Sequence, residues 1–142
     1  MGTIEATLDG LSVLFTRGGE RVYASAEKGI KPLVAAIDNG TDYSGCDATD
    51  RIVGKAAALL YVLLRVNSVS SHVMTNRAKE ILTAGGIACR ADVYVDNIIN
   101  RKGDGLCPME LAVSDIDDAA AALKAIRDEM LKVQAGRAAD KR

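Results

Sequence analysis

The segment from Ile52 to Leu64 constrains the fold of this 142-residue chain more than any other, because its long side chains are almost all apolar. On a 3.6-residue period they cover most of the circumference of a helix, which is typical of a helix packed on several sides. We therefore predict a central helix that is capped by Asp47 or Thr49 and runs to about Val66. Its apolar residues are Ile52, Val53, Ala56, Leu59, Leu60, Leu63 and Leu64.

The first 25 residues have the pattern of an antiparallel meander. Apolar and polar residues alternate from Ile4 to Leu8, and the turn signal Asp9-Gly10 follows directly. A second apolar run ends at Phe15, and Gly18-Gly19 offers another reversal. We therefore predict that the domain opens with strands joined by tight turns.

Helices and strands alternate along the rest of the chain. Turn, cap and proline signals predict a helix near 32–38, a strand at 68–73, a helix capped by Thr75 that ends at Gly85-Gly86, a strand starting at Ile87, a short helix from Pro108, and a last helix capped by Asp115 or Asp117. This order predicts a three-layer α/β/α domain with a mixed β-sheet over residues 1–134. We expect residues 135–142 to form a flexible C-terminal tail.

Composition excludes several classes of protein. With 49% hydrophobic and 26% charged residues, the chain has the composition of a globular domain. Its net charge is −1, and basic residues are scattered among acidic ones, so we expect no nucleic-acid partner. The longest apolar stretch, Ala56 to Leu64, is too short to span a bilayer, so we expect no membrane association. The N-terminus lacks the layout of a signal peptide, so we expect a cytoplasmic protein.

The cysteines and the single histidine argue against a metal site. Cys46, Cys89 and Cys107 are an odd number without paired spacing, which suits free thiols in a reducing compartment. His72 has no partner motif, and the chain has no CxxC. We expect no metal and no cofactor.

Cys107 is the first residue that could carry chemistry. It follows a glycine-rich loop and precedes Pro108 and Glu110, which places the thiol near a helix N-terminus, where a thiolate is stabilised. The alternative is a small buried side chain beside an ordinary helix start, in which Glu110 completes a capping box.

Lys55 is the second such residue, because the helical row that it begins continues through apolar positions. We expect a buried stem and an anionic partner, either Asp50, Glu110 or an anionic group of a ligand. The alternative is a lysine that reaches solvent from the helix end. Asn100 and Arg101 precede a flexible loop and could together clamp an anion.

Three ordered motifs, at 29–33, 50–58 and 99–110, carry a family resemblance: Gly-Ile-Lys-Pro-Leu, Asp-Arg-Ile-Val-Gly-Lys-Ala-Ala-Ala, and Ile-Asn-Arg followed by Gly-Leu-Cys-Pro-Met-Glu. The chain resembles a small prokaryotic family of unknown function that is classed with the cytidine-deaminase-like fold. The resemblance extends from about Ile4 to Leu123.

Zinc deaminases begin one helix with His-Ala-Glu or Cys-Ala-Glu and the next with Pro-Cys-x-x-Cys. The corresponding starts here are Val-Gly-Lys at 53–55 and Cys-Pro-Met-Glu at 107–110, which keep at most one zinc ligand. The resemblance therefore implies a zinc-free pocket between two helix starts, and a homo-oligomer. It implies that Lys55, Cys107 and Glu110 converge in that pocket, with Asp50, Gly54, Asn100 and Arg101 nearby as ligand-binding residues.

Three functions fit these features. The first is a zinc-independent enzyme acting on a small nucleotide-like or heterocyclic molecule, with Cys107 as nucleophile, Lys55 as electrostatic stabiliser or proton carrier, and Glu110 as acid or base. The alternative is a non-catalytic metabolite-binding or regulatory module that uses Lys55 and Arg101. A scaffold that associates through the face of Ala119 to Ala122 is the third.

Overall fold

A computed structural model describes residues 3–100 and 102–140 of the chain, and the side chains up to residue 135. Its centre is a five-stranded sheet that consists of β1 (Val13–Arg17), β2 (Glu20–Ser25), β3 (Asp47–Val53), β4 (Ser68–Thr75) and β5 (Ala88–Val95). The strands lie in the order β2-β1-β3-β4-β5. The hairpin strand β1 runs antiparallel to both of its neighbours, whereas β3, β4 and β5 are parallel. The predicted α/β class with a mixed sheet is therefore confirmed.

The helices lie mainly on one face of this sheet, around a central helix. They are α1 (Ile4–Leu8), α2 (Lys31–Asp38), α3 (Lys55–Leu64), α4 (Asn76–Ala84), α5 (Pro108–Ala112) and α6 (Ala119–Asp140). Helix α3 contacts α2, α4, α5 and α6, and its residues from Lys55 to Tyr61 are all buried. The prediction of a hydrophobic central helix is confirmed, because α3 is enclosed by other elements around its circumference.

The first predicted strand is wrong, because residues 4–8 form one helical turn. The Thr3 hydroxyl accepts a hydrogen bond from the backbone N–H of Ala6 at 3.0 Å, which caps this turn. Ile4 and Leu8 lie one turn apart, and both pack against Leu14 of β1. Since Leu14 alternates with core residues of its strand, α1 covers the sheet face opposite the other helices.

The start of the central helix was also predicted wrongly, because residues 47–53 form β3 and the helix begins only at Lys55. Asp47 caps no helix: its carboxylate accepts hydrogen bonds from Asn67 and Ser68, at the beginning of β4. Gly54 takes the N-cap position of α3. The apolar pair Ile52 and Val53 belongs to the strand, although it continues the apolar run of the helix.

The alternation of faces is broken once in β3 and once in β4. Ala48 and Val53 are five positions apart, yet both are buried in the main core. Val69 and Met74 of β4 show the same spacing and the same burial. Strict alternation would put the members of each pair on opposite faces. As a consequence Ile52 is left out of the main core and remains 50% exposed.

The later elements follow the predicted signals more closely. Thr75 caps α4 by accepting from the backbone N–H of Ala78 at 3.0 Å, and α5 begins at Pro108, both as predicted. Helix α6, however, is capped by Asp118 and by neither Asp115 nor Asp117, because the Asp118 carboxylate accepts from the backbone N–H of Ala121 at 2.8 Å.

Helix α6 bears on two further predictions. It continues to Asp140, through most of the segment predicted as a tail, whereas residues 141 and 142 lie outside the described residues. Ala122, on the face predicted to contact another chain, is fully buried within its own chain. No helix in the described ranges combines the length and the apolar character needed to cross a bilayer.

Candidate functional site

A cavity of about 570 Å³ opens at the carboxyl end of β3, where the sheet changes from parallel to antiparallel pairing. In open α/β sheets ligands usually bind outside the carboxyl ends of the strands. Most of the wall is apolar and comes from Ile30, Leu33, Ile52, Ala56, Ala57, Ile98 and Met109. The polar side chains on the wall are those of Ser12, Lys28, Asp50, Arg51, Cys107 and Glu110.

Asp50 is the most enclosed acidic side chain of this cavity. The Tyr61 hydroxyl donates a hydrogen bond to Asp50 Oδ2 at 2.7 Å. Desolvation raises the pKa of the Asp50 carboxyl to about 6, although the Tyr61 hydroxyl and the backbone amides of Ile52 and Arg51 act to lower it. The residue keeps some accessible surface because it borders the cavity, but protein atoms surround its carboxyl, so we take desolvation as the dominant effect.

The Tyr61 hydroxyl lies in the same desolvated environment as Asp50. Burial, followed by the negative charge of Asp50, raises the pKa of the Tyr61 hydroxyl well above its usual value. Tyr61 also packs its ring against Phe15, in a cluster that includes Tyr23 and Tyr43. At neutral pH the hydroxyl therefore remains a proton donor to Asp50.

Glu110 is bound to the first turn of α3. Its two carboxylate oxygens accept hydrogen bonds from the backbone N–H groups of Lys55 and Ala56, each at 2.8 Å. These amides have no partner within the helix, and a carboxylate there also interacts favourably with the helix dipole. Glu110 lies in α5, so this contact joins the two helix starts that the family resemblance implied to be neighbours.

Gly54 makes this contact possible. A Cβ atom at this position would lie 2.5 Å from Glu110 Cδ and 2.5 Å from Ile98 Cδ1, and closer still to Glu110 Oε1. Any larger residue would therefore displace the carboxylate from the helix start. The role of Gly54 in the structure is thus to admit Glu110.

Lys55 has a buried stem, as predicted, but its ammonium group is turned away from the cavity. Lys55 Nζ donates to the backbone carbonyl of Ser114 and forms an ion pair with Asp117, each at 3.1 Å. Asp117 also pairs with Arg77 of α4, and its pKa is lowered first by the hydrogen bond from Lys55. The predicted partners Asp50 and Glu110 do not contact the ammonium group, because the row of α3 on which Lys55 lies faces the segment before α6.

Cys107 and Asn100 have different positions in the structure. Cys107 is the N-cap residue of the five-residue helix α5, is partly buried and lines the cavity. Asn100 does not line it: its side-chain amide bonds Asp104 twice and closes the loop that precedes α5. Arg101 lies outside the described residues. The structure thus brings Asp50, Gly54, Cys107 and Glu110 to one cavity and leaves Lys55 and Asn100 outside it.

Several residues of this site were not predicted. Tyr61 is the partner of Asp50, and Lys28 and Ile98 lie on the cavity wall. A tyrosine among the aliphatic residues of α3 was a usable signal for Tyr61, because a buried tyrosine hydroxyl usually has a hydrogen-bond partner. No local pattern marks Lys28 or Ile98.

The arrangement suits binding of a flat, partly apolar molecule. Apolar walls would cover its faces, and Asp50 would accept a hydrogen bond or a positive charge from its edge. Among the side chains that the structure describes, those of residues 3–100 and 102–135, no three of His, Cys, Asp or Glu lie close enough together to hold a metal ion.

Similarity to known proteins agrees with the coarse fold. No curated protein matches the chain. A solved structure of a DUF1893 family protein, TM1506, from Thermotoga maritima is 26% identical, with a TM-score of 0.75 over 91% of this chain and 84% of that one. The family model described as TM1506, a domain of unknown function (DUF1893), matches residues 6–130. The chain therefore belongs to the DUF1893 family.

Proposed function

We propose that this chain is a zinc-independent small-molecule-binding domain with a cytidine-deaminase-like fold, and that its ligand is a small nucleotide-like or heterocyclic molecule. Two observations support the fold assignment: an antiparallel hairpin leads into two parallel crossovers, and the starts of α3 and α5 meet at one cavity. The ligand-binding function rests on that cavity.

The observation that carries the proposal is an apolar cavity of about 570 Å³ with the enclosed carboxyl of Asp50 on its wall. Sites for small organic ligands have volumes of roughly 300–1,000 Å³, mostly apolar walls and a few fixed polar groups. A single heterocyclic ring fits this description well. Asp50 would fix its orientation, since Tyr61 and the neighbouring amides hold the carboxyl in place.

Binding accounts for the geometry better than acid–base catalysis does. Both oxygens of Glu110 are engaged by the amides of α3, so this carboxylate acts as a structural cap. Lys55 bonds Ser114 and Asp117 outside the cavity. Two of the three side chains predicted for catalysis are therefore committed elsewhere.

A fragment screen followed by backbone amide NMR tests the proposal. The screen would contain neutral, cationic and anionic aromatic fragments together with free nucleobases and nucleosides. We expect binding fragments to shift the amides of Gly29, Ala57 and Ile98 at the cavity, and to leave Gly18 at the opposite end of the β1–β2 hairpin unchanged. A screen in which no fragment shifts the cavity amides would refute the function.

A blocking variant provides the control. Ile52 is half exposed on the cavity wall, so Ile52→Trp would extend a larger side chain into the ligand space without unfolding the core. Leu131→Trp, at a position on α6 that is 65% exposed, is the matched control. We expect fragment affinity to fall in the first variant and to be unchanged in the second.

A second candidate function, thiol-dependent catalysis, is favoured by one observation: the Cys107 thiol lines the same cavity. Iodoacetamide labelling followed by mass spectrometry tests it. Rapid labelling of Cys107, slowed by a bound fragment, would support a nucleophilic role. Labelling as slow as that of Cys46, which is fully buried, would exclude it.

A further inference from the structure

We infer that the cavity selects a flat organic cation, of amidinium or protonated-amine chemistry, which forms an ion pair with Asp50. This inference rests on the proposed function, because it specifies the ligand of the same cavity. It follows from the positions of the charged groups around the cavity and from what each of them already binds.

The positive charges near the cavity have partners elsewhere or lie at its mouth. Arg51 Nε donates to the backbone carbonyl of Leu11 at 3.0 Å, and its guanidinium group pairs with Glu5 of α1. Lys28, on the segment between β2 and α2, is solvent-exposed at the rim. None of the ion pairs formed by the described residues includes Asp50.

The two carboxylates on the cavity wall differ in how far neighbouring groups neutralise their negative charge. Glu110 is neutralised in part by two backbone amides at the positive end of the α3 dipole. Asp50 accepts from the neutral Tyr61 hydroxyl and from backbone amides, and it receives no full counter-charge from these groups. The cavity thus contains one enclosed carboxylate for which the described residues supply no cation.

A desolvated carboxylate without a counter-charge is costly, and a cation placed against it removes most of that cost. The raised pKa of Asp50 reflects this cost. An anionic ligand would instead meet two carboxylates, and the amides of α3 that could bind it are already occupied by Glu110. Charge therefore discriminates between ligands of equal shape.

Three probes of nearly identical shape isolate charge: benzamidine, benzamide and benzoate. Titration followed by amide NMR at neutral pH would measure their affinities for the intact protein. We expect benzamidine to bind at least about tenfold more tightly than benzamide, and benzoate to bind more weakly than either. If benzamide or benzoate equals benzamidine, the inference is wrong.

The pH dependence of benzamidine binding separates the ion pair from a hydrogen bond donated by protonated Asp50. The other ionisable groups that bond Asp50 or line its cavity are Tyr61 from α3, Cys107 and Glu110 at the start of α5, Arg51 on its own strand, and Lys28 at the rim. Affinity for benzamidine should fall as pH decreases through about 6, where Asp50 takes up its proton. An affinity that rises in this range would overturn the inference.

Variants assign the effect to Asp50. Asp50→Asn should reduce benzamidine affinity about tenfold and abolish its preference over benzamide, whereas Tyr61→Phe, which keeps the carboxylate, should retain the preference. Asp128→Asn, on α6, is the charge-matched control. Unchanged benzamidine affinity in Asp50→Asn would contradict the ion pair. Because the three probes are compared on the unaltered protein, the test does not depend on whether a variant folds.

The outcomes also separate this inference from the proposed function. If fragments shift the cavity amides but show no preference for cations, the cavity is a ligand site and the cation inference fails. If neither the screen nor the probes shift these amides, the proposed function fails as well.

Discussion

Replacing Gly54 by alanine tests the close approach of the Glu110 carboxylate to the start of α3. The new methyl group would lie 2.5 Å from Glu110 Cδ and from Ile98 Cδ1, so the Glu110 carboxylate must leave the first turn of α3. Two charge-assisted hydrogen bonds of 2.8 Å are then lost. Each is worth roughly 1.5–3 kcal/mol when buried, and water will replace part of them at this partly exposed site. We expect the free energy of unfolding to fall by about 2–4 kcal/mol.

The backbone conformation of Gly54 is compatible with alanine. Gly54 has φ −104° and ψ −170°, a conformation open to any residue. Without the contact to Glu110, the gain of about 0.4–1 kcal/mol from restricting the unfolded chain would be offset by the poorer fit of alanine to an N-cap, so the substitution would be close to neutral. A large loss of stability is therefore expected only if the methyl group displaces Glu110.

Chemical denaturation of a double-mutant cycle tests this expectation. Glu110→Ala alone should cost about 2–3 kcal/mol, since it removes both hydrogen bonds. In that background Gly54→Ala should cost at least about 1 kcal/mol less than in the unaltered protein, because the carboxylate is already gone. Additive effects, or a Gly54→Ala variant as stable as the parent, would refute the argument.

Three further predictions follow from other contacts. Asp50→Asn removes the carboxyl group whose pKa is raised in the native state. Because the native carboxyl binds its proton more tightly than the unfolded one, the free energy of unfolding of the parent should fall by up to about 3 kcal/mol relative to this variant as pH rises from about 4 to above 6. Denaturation at several pH values measures this difference. Lys55→Met should leave fragment affinity unchanged in NMR titrations, because the ammonium group bonds the Ser114 carbonyl outside the cavity. Thr75→Ala should lower stability by about 1 kcal/mol in denaturation experiments, since it removes the cap to Ala78.

Each of these predictions has a contrary outcome. A stability difference for Asp50→Asn that does not change with pH would mean that its carboxyl is well solvated. Loss of fragment binding in Lys55→Met would place the ammonium group at the ligand. Full stability of Thr75→Ala would show that water replaces the threonine hydroxyl at the helix start.

The parts of the fold that could be predicted are those with strong local signals. Thr75 and Pro108 mark helix starts through their own chemistry, and both signals were interpreted correctly. Strand β3 was not found, because the break in its alternation removes the period of two and its last apolar residues continue into α3. Gly54, a residue accepted at N-caps, was the local sign that the helix begins later.

The partners of the polar residues at the site could not be predicted from residue type alone. The sequence predicts an anionic partner for the Lys55 side chain, either Asp50, Glu110 or an anionic group of a ligand. In the structure that partner is Asp117, and Glu110 instead accepts from the backbone N–H of Lys55. Spacing along the chain could not decide this, because the partners come from segments more than fifty residues apart.

The cap that Glu110 forms on α3 has a consequence for biosynthesis. The two ends of this contact are 55 positions apart, so a chain leaving the ribosome exposes the apolar helix well before its cap exists. Until residue 110 emerges, the first amides of α3 are left to water, and the wall contributed by α5 is missing from the cavity. The cavity is therefore completed late in synthesis, and a polypeptide cut before α5 would lack it while retaining every strand of the sheet.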